Sequence, residues 1–189
     1  MMDYPNPYAP YPGEPFPADT QGGTIPIIPV VQQYAAPVQN QPFDPVFVYP
    51  QNLPGALSLI GQAVAGESED AQFYEWLLQR APSPEDRQII TGIRNDELHH
   101  NGWFRQLYLE LTGRPVPSMP GETFMPPPNY CDGLRRAIQG EQHAVQNYRK
   151  ILFALQNRVH INVLTEIITD ELRHAVLYNY LYAKNSCKA

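Results

Sequence analysis

Apolar residues recur at intervals of three and four along four stretches of this chain, and each stripe is interrupted near its middle by acids or histidine. The first runs Ile60, Ala63, Glu67, Asp70, Tyr74, Leu77. The second runs Ile90, Ile93, Glu97, His100, Phe104, Leu107. The third is Leu134, Ala137, Glu141, Ala144, Tyr148, Ile151, and the fourth Leu164, Ile167, Glu171, His174, Tyr178, Leu181. Such spacing turns one face of an α-helix toward a core. Breakers set the bounds. A first helix is predicted from about Pro54 to Arg80, ended by "APSP". Ser83 is a good N-cap for a second, with Pro84 behind it and Gly113 as its stop after Thr112. A third covers about 130–156 and a fourth about 160–184.

The connections suggest the topology. Few residues join the first pair and the second pair, so each should be an antiparallel hairpin. Residues 113–129 join the pairs and hold six prolines. Fully extended, that linker reaches about 55–60 Å, against about 42 Å for a helix of about 28 residues. It can run the length of the bundle. The expected fold is all-α: a four-helix bundle over 54–185 with one long crossover and a short tail, 186–189.

The two hairpins look like copies. At an offset of 74, "NDELHH" (95–100) aligns with "TDELRH" (169–174), pairing Asp96/Asp170, Glu97/Glu171 and His100/His174. The same offset pairs Gly66/Gly140, Glu67/Glu141 and Tyr74/Tyr148. Repeats fix architecture. In antiparallel hairpins Glu67 and Glu97 lie at one height, and so do Glu141 and Glu171. Four glutamates and two histidines then meet at mid-bundle. No Lys or Arg stands in the stripes to neutralise them, and each buried charge costs several kcal/mol. Two divalent or trivalent cations would do so. Glu-x-x-His offers a carboxylate and an imidazole to one ion, and glutamates of the partner helices can bridge or cap the pair.

These residues carry a resemblance. Residues 54–185 resemble the ferritin-like superfamily and are most similar to its rubrerythrin-type di-iron domain. The resemblance rests on "GE" at 66–67 with Tyr74, "DELHH" at 96–100, "GE" at 140–141 with Tyr148, and "DELRH" at 170–174. It implies two metal ions, iron first and manganese next, held by Glu67, Glu97, His100, Glu141, Glu171 and His174. The implied activity is an oxidoreductase reaction with H2O2 or O2. Ferroxidase-type handling of Fe(II), a dimanganese catalase-like reaction and a non-enzymatic role as a metal-stabilised assembly protein stay open. The chain departs from rubrerythrins where a further glutamate would follow the third-helix ligand: Ala144 stands there, and the repeat-equivalent Asp70 is a shorter stand-in or a polar neighbour of the site. It also lacks a rubredoxin-like cysteine module, so peroxidase turnover would need an outside electron donor. Tyr74 and Tyr148 are core tyrosines with a hydrogen bond to a ligand, or redox-active groups. His99 reads as a surface residue or one just behind the ligands, His143 as structural or on the surface, and His160 as a surface residue.

Composition narrows the partners. Thirteen of 21 prolines lie between Pro5 and Pro54, and residues 1–53 hold five Tyr, four acids and neither Lys nor Arg. That stretch reads as an extended, polyproline-like arm or a disordered tail. Its patches "TIPIIPVV" and "DPVFVYP" are apolar enough to dock on the bundle or on another subunit. A net charge of -6 makes nucleic acid an unsuitable partner. No apolar run is long enough to span a bilayer, and a homo-oligomer, first of all a dimer, is expected. The N-terminus has neither the basic nor the apolar region of a signal peptide. Cys131 and Cys187 form no CxxC pair; they can pair with each other, but a reducing, cytoplasmic setting is the default expectation.

Overall fold

The computed structural model describes residues 42–118 and 123–188; the side chains of Glu67 and Ser68 lie outside the description. So does the patch "TIPIIPVV" at 24–31. Pro42–Ala189 is one compact unit. Its helices are α1 (Leu53–Ala65), α2 (Glu67–Arg80), α3 (Pro84–Thr112), α4 (Tyr130–Leu152) and α5 (Arg158–Lys184). No strand occurs among the described residues.

The capping reading of α3 is met. Ser83 Oγ accepts from the Asp86 amide at 3.2 Å, and Gly113 takes the left-handed conformation, φ 71°, with its N–H on Leu109 O. Only glycine adopts that turn without strain. Asn129 and Asn157 cap α4 and α5 in the same manner.

The first helix is not the single element expected over 54–80. It breaks at Gly66 into α1 and α2. Gly66 keeps a helical backbone (φ −68°, ψ −17°), and its carbonyl accepts from the amides of both Glu69 and Asp70. The break is therefore a local interruption rather than a turn, with i→i+4 bonds from Gly66 N to Gln62 O and from Asp70 N to Gly66 O on either side. The third helix ends at Leu152 rather than near 156. There the chain tightens into three-residue bonds, Ala154 N to Ile151 O and Leu155 N to Leu152 O, which tuck Ala154 and Leu155 into the core.

The core has two apolar clusters. One holds Phe73, Leu77, Ile90, Ile93, Leu134, Tyr178 and Leu181. The other holds Ile60, Val64, Phe104, Leu107, Ile151, Leu164 and Ile167. Along α1–α2 and along α5 the chain passes from the second cluster to the first. Along α3 and α4 it passes from the first to the second. Since α3 and α4 run the same way, the linker must return the full length of the helical bundle. Val116 packs at the second cluster and Phe124 at the first.

At the first-cluster end Asp86 is fully buried and joins three helices. It accepts from Lys184 Nζ and Asn185 Nδ2, each at 2.7 Å, and from the Tyr130 hydroxyl at 3.4 Å. Cys131 and Cys187 are disulfide-bonded at this same end. Disulfides persist mainly in oxidising compartments, and the bond gives a cytoplasmic location no support. At the opposite end, part of the "DPVFVYP" patch touches the bundle: Asp44 caps a turn over Pro45–Phe47, and the Phe47 ring lies 5.0 Å from that of Phe153.

Candidate metal centre

Between the two apolar clusters lies a polar layer. From α3 it takes Glu97 and His100, from α4 Glu141, and from α5 Glu171 and His174. Glu141, Glu171 and both histidines are buried. Ligating atoms of Glu97, Glu141, Glu171 and His174 all lie within 4.8 Å of one another.

The carboxylates of the two Glu-x-x-His pairs each face both imidazoles. Glu97 Oε1 is 3.0 Å from His174 Nδ1 and its Oε2 is 3.5 Å from His100 Nδ1. Glu171 Oε1 is 3.2 Å from His100 Nδ1 and its Oε2 is 3.8 Å from His174 Nδ1. The central position thus belongs to Glu97 and Glu171. Glu141 stands to one side, 3.9 Å from His174 Nδ1. Glu67 occupies the matching helical register at the start of α2; its side chain lies outside the described residues.

The donor set fits a cation. Glu97 Oε1, His100 Nδ1, Glu171 Oε1 and His174 Nδ1 are buried and form no aligned hydrogen bond, their closest ion-pair partners being one another, at 3.0 Å for Glu97–His174 and 3.2 Å for Glu171–His100. A buried polar atom without an aligned hydrogen bond is costly, and here all four converge on one place. Imidazole and carboxylate together suit iron and manganese.

Without a cation, protons carry the compensation. Burial alone would pull the His100 imidazole down, but the Glu171 and Glu97 carboxylates outweigh it and push its pKa up to about 10. His174 is raised to about 9 by the same balance. Burial pushes Glu141 well above the carboxylate range, and its neighbour Glu171 pushes it further. Burial would raise Glu171 too, but the Glu141 carboxyl and both imidazoles hold it down to about 2.

Behind the imidazoles stand two residues to which the sequence reading gave no role. His100 Nε2 is 3.2 Å from Asp170 Oδ2, and His174 Nε2 is 3.2 Å from Asp96 Oδ2. Each aspartate belongs to the other hairpin. Carboxylates so placed fix the ring and its tautomer and leave Nδ1 free for a metal. The signal was in the repeat, where Asp96 and Asp170 align.

The remaining candidates surround this layer. Asp70 is outside the ligand cluster but lines cavities on both sides of α2. Desolvation of its carboxyl against the bundle, with repulsion from Glu97 and Glu69, raises its pKa to about 7, although the residue as a whole is exposed. Tyr74 and Tyr148 line the same two cavities, and burial keeps both phenols protonated. Neither donates a hydrogen bond to a carboxylate among the described residues. His99 stacks on Trp103. His160 is not a surface residue: it is buried, with Nε2 2.7 Å from Glu110 Oε2.

No family model matches the chain. The uncharacterized protein YhjR of Bacillus subtilis (strain 168) is 35% identical over 119 residues, which cover 63% of this chain and 81% of that protein. The chain belongs to the YhjR family. Among solved structures, this YhjR-family chain is similar to a hypothetical protein from Pyrococcus furiosus, with a TM-score of 0.59, 18% identity, and 68% of this chain and 88% of that one covered. It is similar to CopM in the Cu(II)-bound form, TM-score 0.60, 19% identity, covering 68% and 96%. It is also similar to the conserved hypothetical protein rv2844 from Mycobacterium tuberculosis, TM-score 0.59, 15% identity, covering 70% and 93%. At such identities the likeness concerns the fold alone. No helix among the described residues is long and apolar enough to cross a membrane.

Proposed function

We propose that this protein is a dimetal carboxylate oxidoreductase of the ferritin-like, rubrerythrin type, loaded with iron or manganese and reacting with peroxide or O2. The observation that carries the reading is the placement of Glu97 and Glu171, each facing both histidine Nδ1 atoms. Two carboxylates between two imidazoles make an arrangement for a pair of cations rather than one. In this reading His100 and His174 each take one ion, and Glu141 and Glu67 cap the pair from the helices opposite. The ions would supply the redox chemistry toward the oxidant.

The chain's own residues would do the rest. Asp96 and Asp170 orient the imidazoles, the apolar clusters above and below exclude water, and cavities flanking α2 admit a small oxidant. Asp70, near neutrality in its pKa, is placed to hold or release a proton at the edge of the site. With no cysteine module for electrons, turnover as a peroxidase takes an external donor.

The test is metal content after reconstitution with Fe(II) or Mn(II), followed by stopped-flow mixing of the reduced protein with O2 and with H2O2. Two ions per chain and a fast optical change with one oxidant are expected. One ion per chain, or none, would refute the dimetal reading; two ions inert to both oxidants would leave the non-enzymatic assembly role.

A further inference from the structure

The cavity between α2 and α3 is larger than its proposed oxidant needs. Its volume is about 290 Å³, the share of about ten liquid waters, and close to the lower bound of small-molecule pockets. Its wall is mostly apolar, with Ala63, Ala71, Tyr74, Leu98 and Phe104, and Asp70, Glu97 and His100 also line it. A passage for peroxide alone requires neither this room nor this wall.

One guanidinium stands in that lining. Arg94, on the same α3 stripe as Leu98 and Asn101, lines the cavity. Its Nε is buried and without a hydrogen-bond partner. Its Nη2 reaches only Asn95 Oδ1, at 3.4 Å. No carboxylate among the described residues forms an ion pair with it. A buried, unpaired guanidinium donor is costly, and a planar anion matches its fork. Asn101 adds a side-chain amide to the same lining.

We infer that this cavity binds a small monocarboxylate with an apolar body, the carboxylate on Arg94 and Asn101 and the apolar body against the apolar lining. Binding needs no metal. Its consequence, an organic substrate or effector held beside the metal centre, rests on the function proposed above.

The experiment titrates hexanoate and benzoate, with hexanamide and benzamide as uncharged matches, into metal-free and Mn(II)-loaded full-length protein. Calorimetry gives affinities, and amide chemical shifts locate the site. We expect the acids to bind at least about tenfold more tightly than the amides, the magnitude of a charge-assisted bond. Arg94→Gln should remove that preference with metal content unchanged. Ala71→Trp and Leu98→Trp should fill the cavity and remove binding of both. Equal binding of acid and amide, a preference that survives Arg94→Gln, or no binding to the wild type would overturn the inference. The metal-free titration reads this result even where the dimetal reading has failed.

Discussion

Arg173 on α5 donates to Asp96 on α3 at 2.8 Å, and the same nitrogen reaches its own Asp170 at 2.8 Å. One guanidinium thereby joins the two aspartates that hold His174 and His100. The repeat supplies no second one, since the position equivalent to Arg173 is His99. Replacing Arg173 with Met should leave two carboxylates facing each other and loosen both imidazoles. We expect metal affinity to fall about 10–100-fold, as for other residues that orient metal ligands. Competition titration against a chelator measures it; unchanged affinity would show that the aspartates orient the rings unaided.

Glu141→Ala should remove one capping carboxylate and lower metal occupancy without unfolding the protein. Glu171→Ala should be more severe, because Glu171 faces both imidazoles and its loss leaves Glu97 as the one carboxylate shared between them. Metal analysis beside a thermal melt separates the two effects. Equal metal contents in the two variants would contradict the central placement of Glu171.

The metal-free protein should lose stability as pH rises above neutral. His100 and His174 have folded pKa values of about 10 and 9, above their usual 6.5. Their contribution is complete below pH 6.5 and is lost as pH climbs through 9 and 10. Glu141, raised above its usual 4.5, acts in the same direction from lower pH upward. Glu171, held at about 2, contributes above pH 4.5 and loses its contribution only in strong acid. The metal-free melting temperature should therefore decline between pH 6 and 10, while that of the loaded protein stays flatter. Parallel curves for the two forms would mean that the ligands are not compensated by protons.

Gly133→Ala tests the packing at the first-cluster end. A Cβ there would lie 2.5 Å from Trp76 Cζ3 and 2.9 Å from Leu77 Cδ2. Both side chains are buried and have little room to yield. A loss of about 1–3 kcal/mol is expected from such overpacking, read from urea denaturation. A neutral result would show that α2 can slide along α4.

Much of this arrangement was legible because it depends on local signals. Ser83, Pro84 and Gly113 mark α3 within a residue, and the 3-4 stripes put Glu97, Glu141 and Glu171 on inward faces. The crossover followed from loop length. What escaped notice depends on distant partners. Asp96 and Asp170 each precede an inward glutamate and point about 100° away from it, so their stripe gave no sign that they reach an imidazole on the other hairpin. His160 looked exposed because its partner, Glu110, is 50 positions earlier. The interruption at Gly66 was hidden because the 3-4 stripe continues across it. Cys131 and Cys187 meet only because α4 begins where α5 ends.

The charged layer also stands between two apolar clusters, so among the described residues it divides the interior into two halves. Each half is small, and the rods that link them pass through a zone where like charges must be balanced by cations or protons. Loading the centre would therefore tie the two ends of this one compact unit together more firmly. In an emptied protein the amides of the two ends would exchange with solvent on independent clocks, and on loading those clocks would run together.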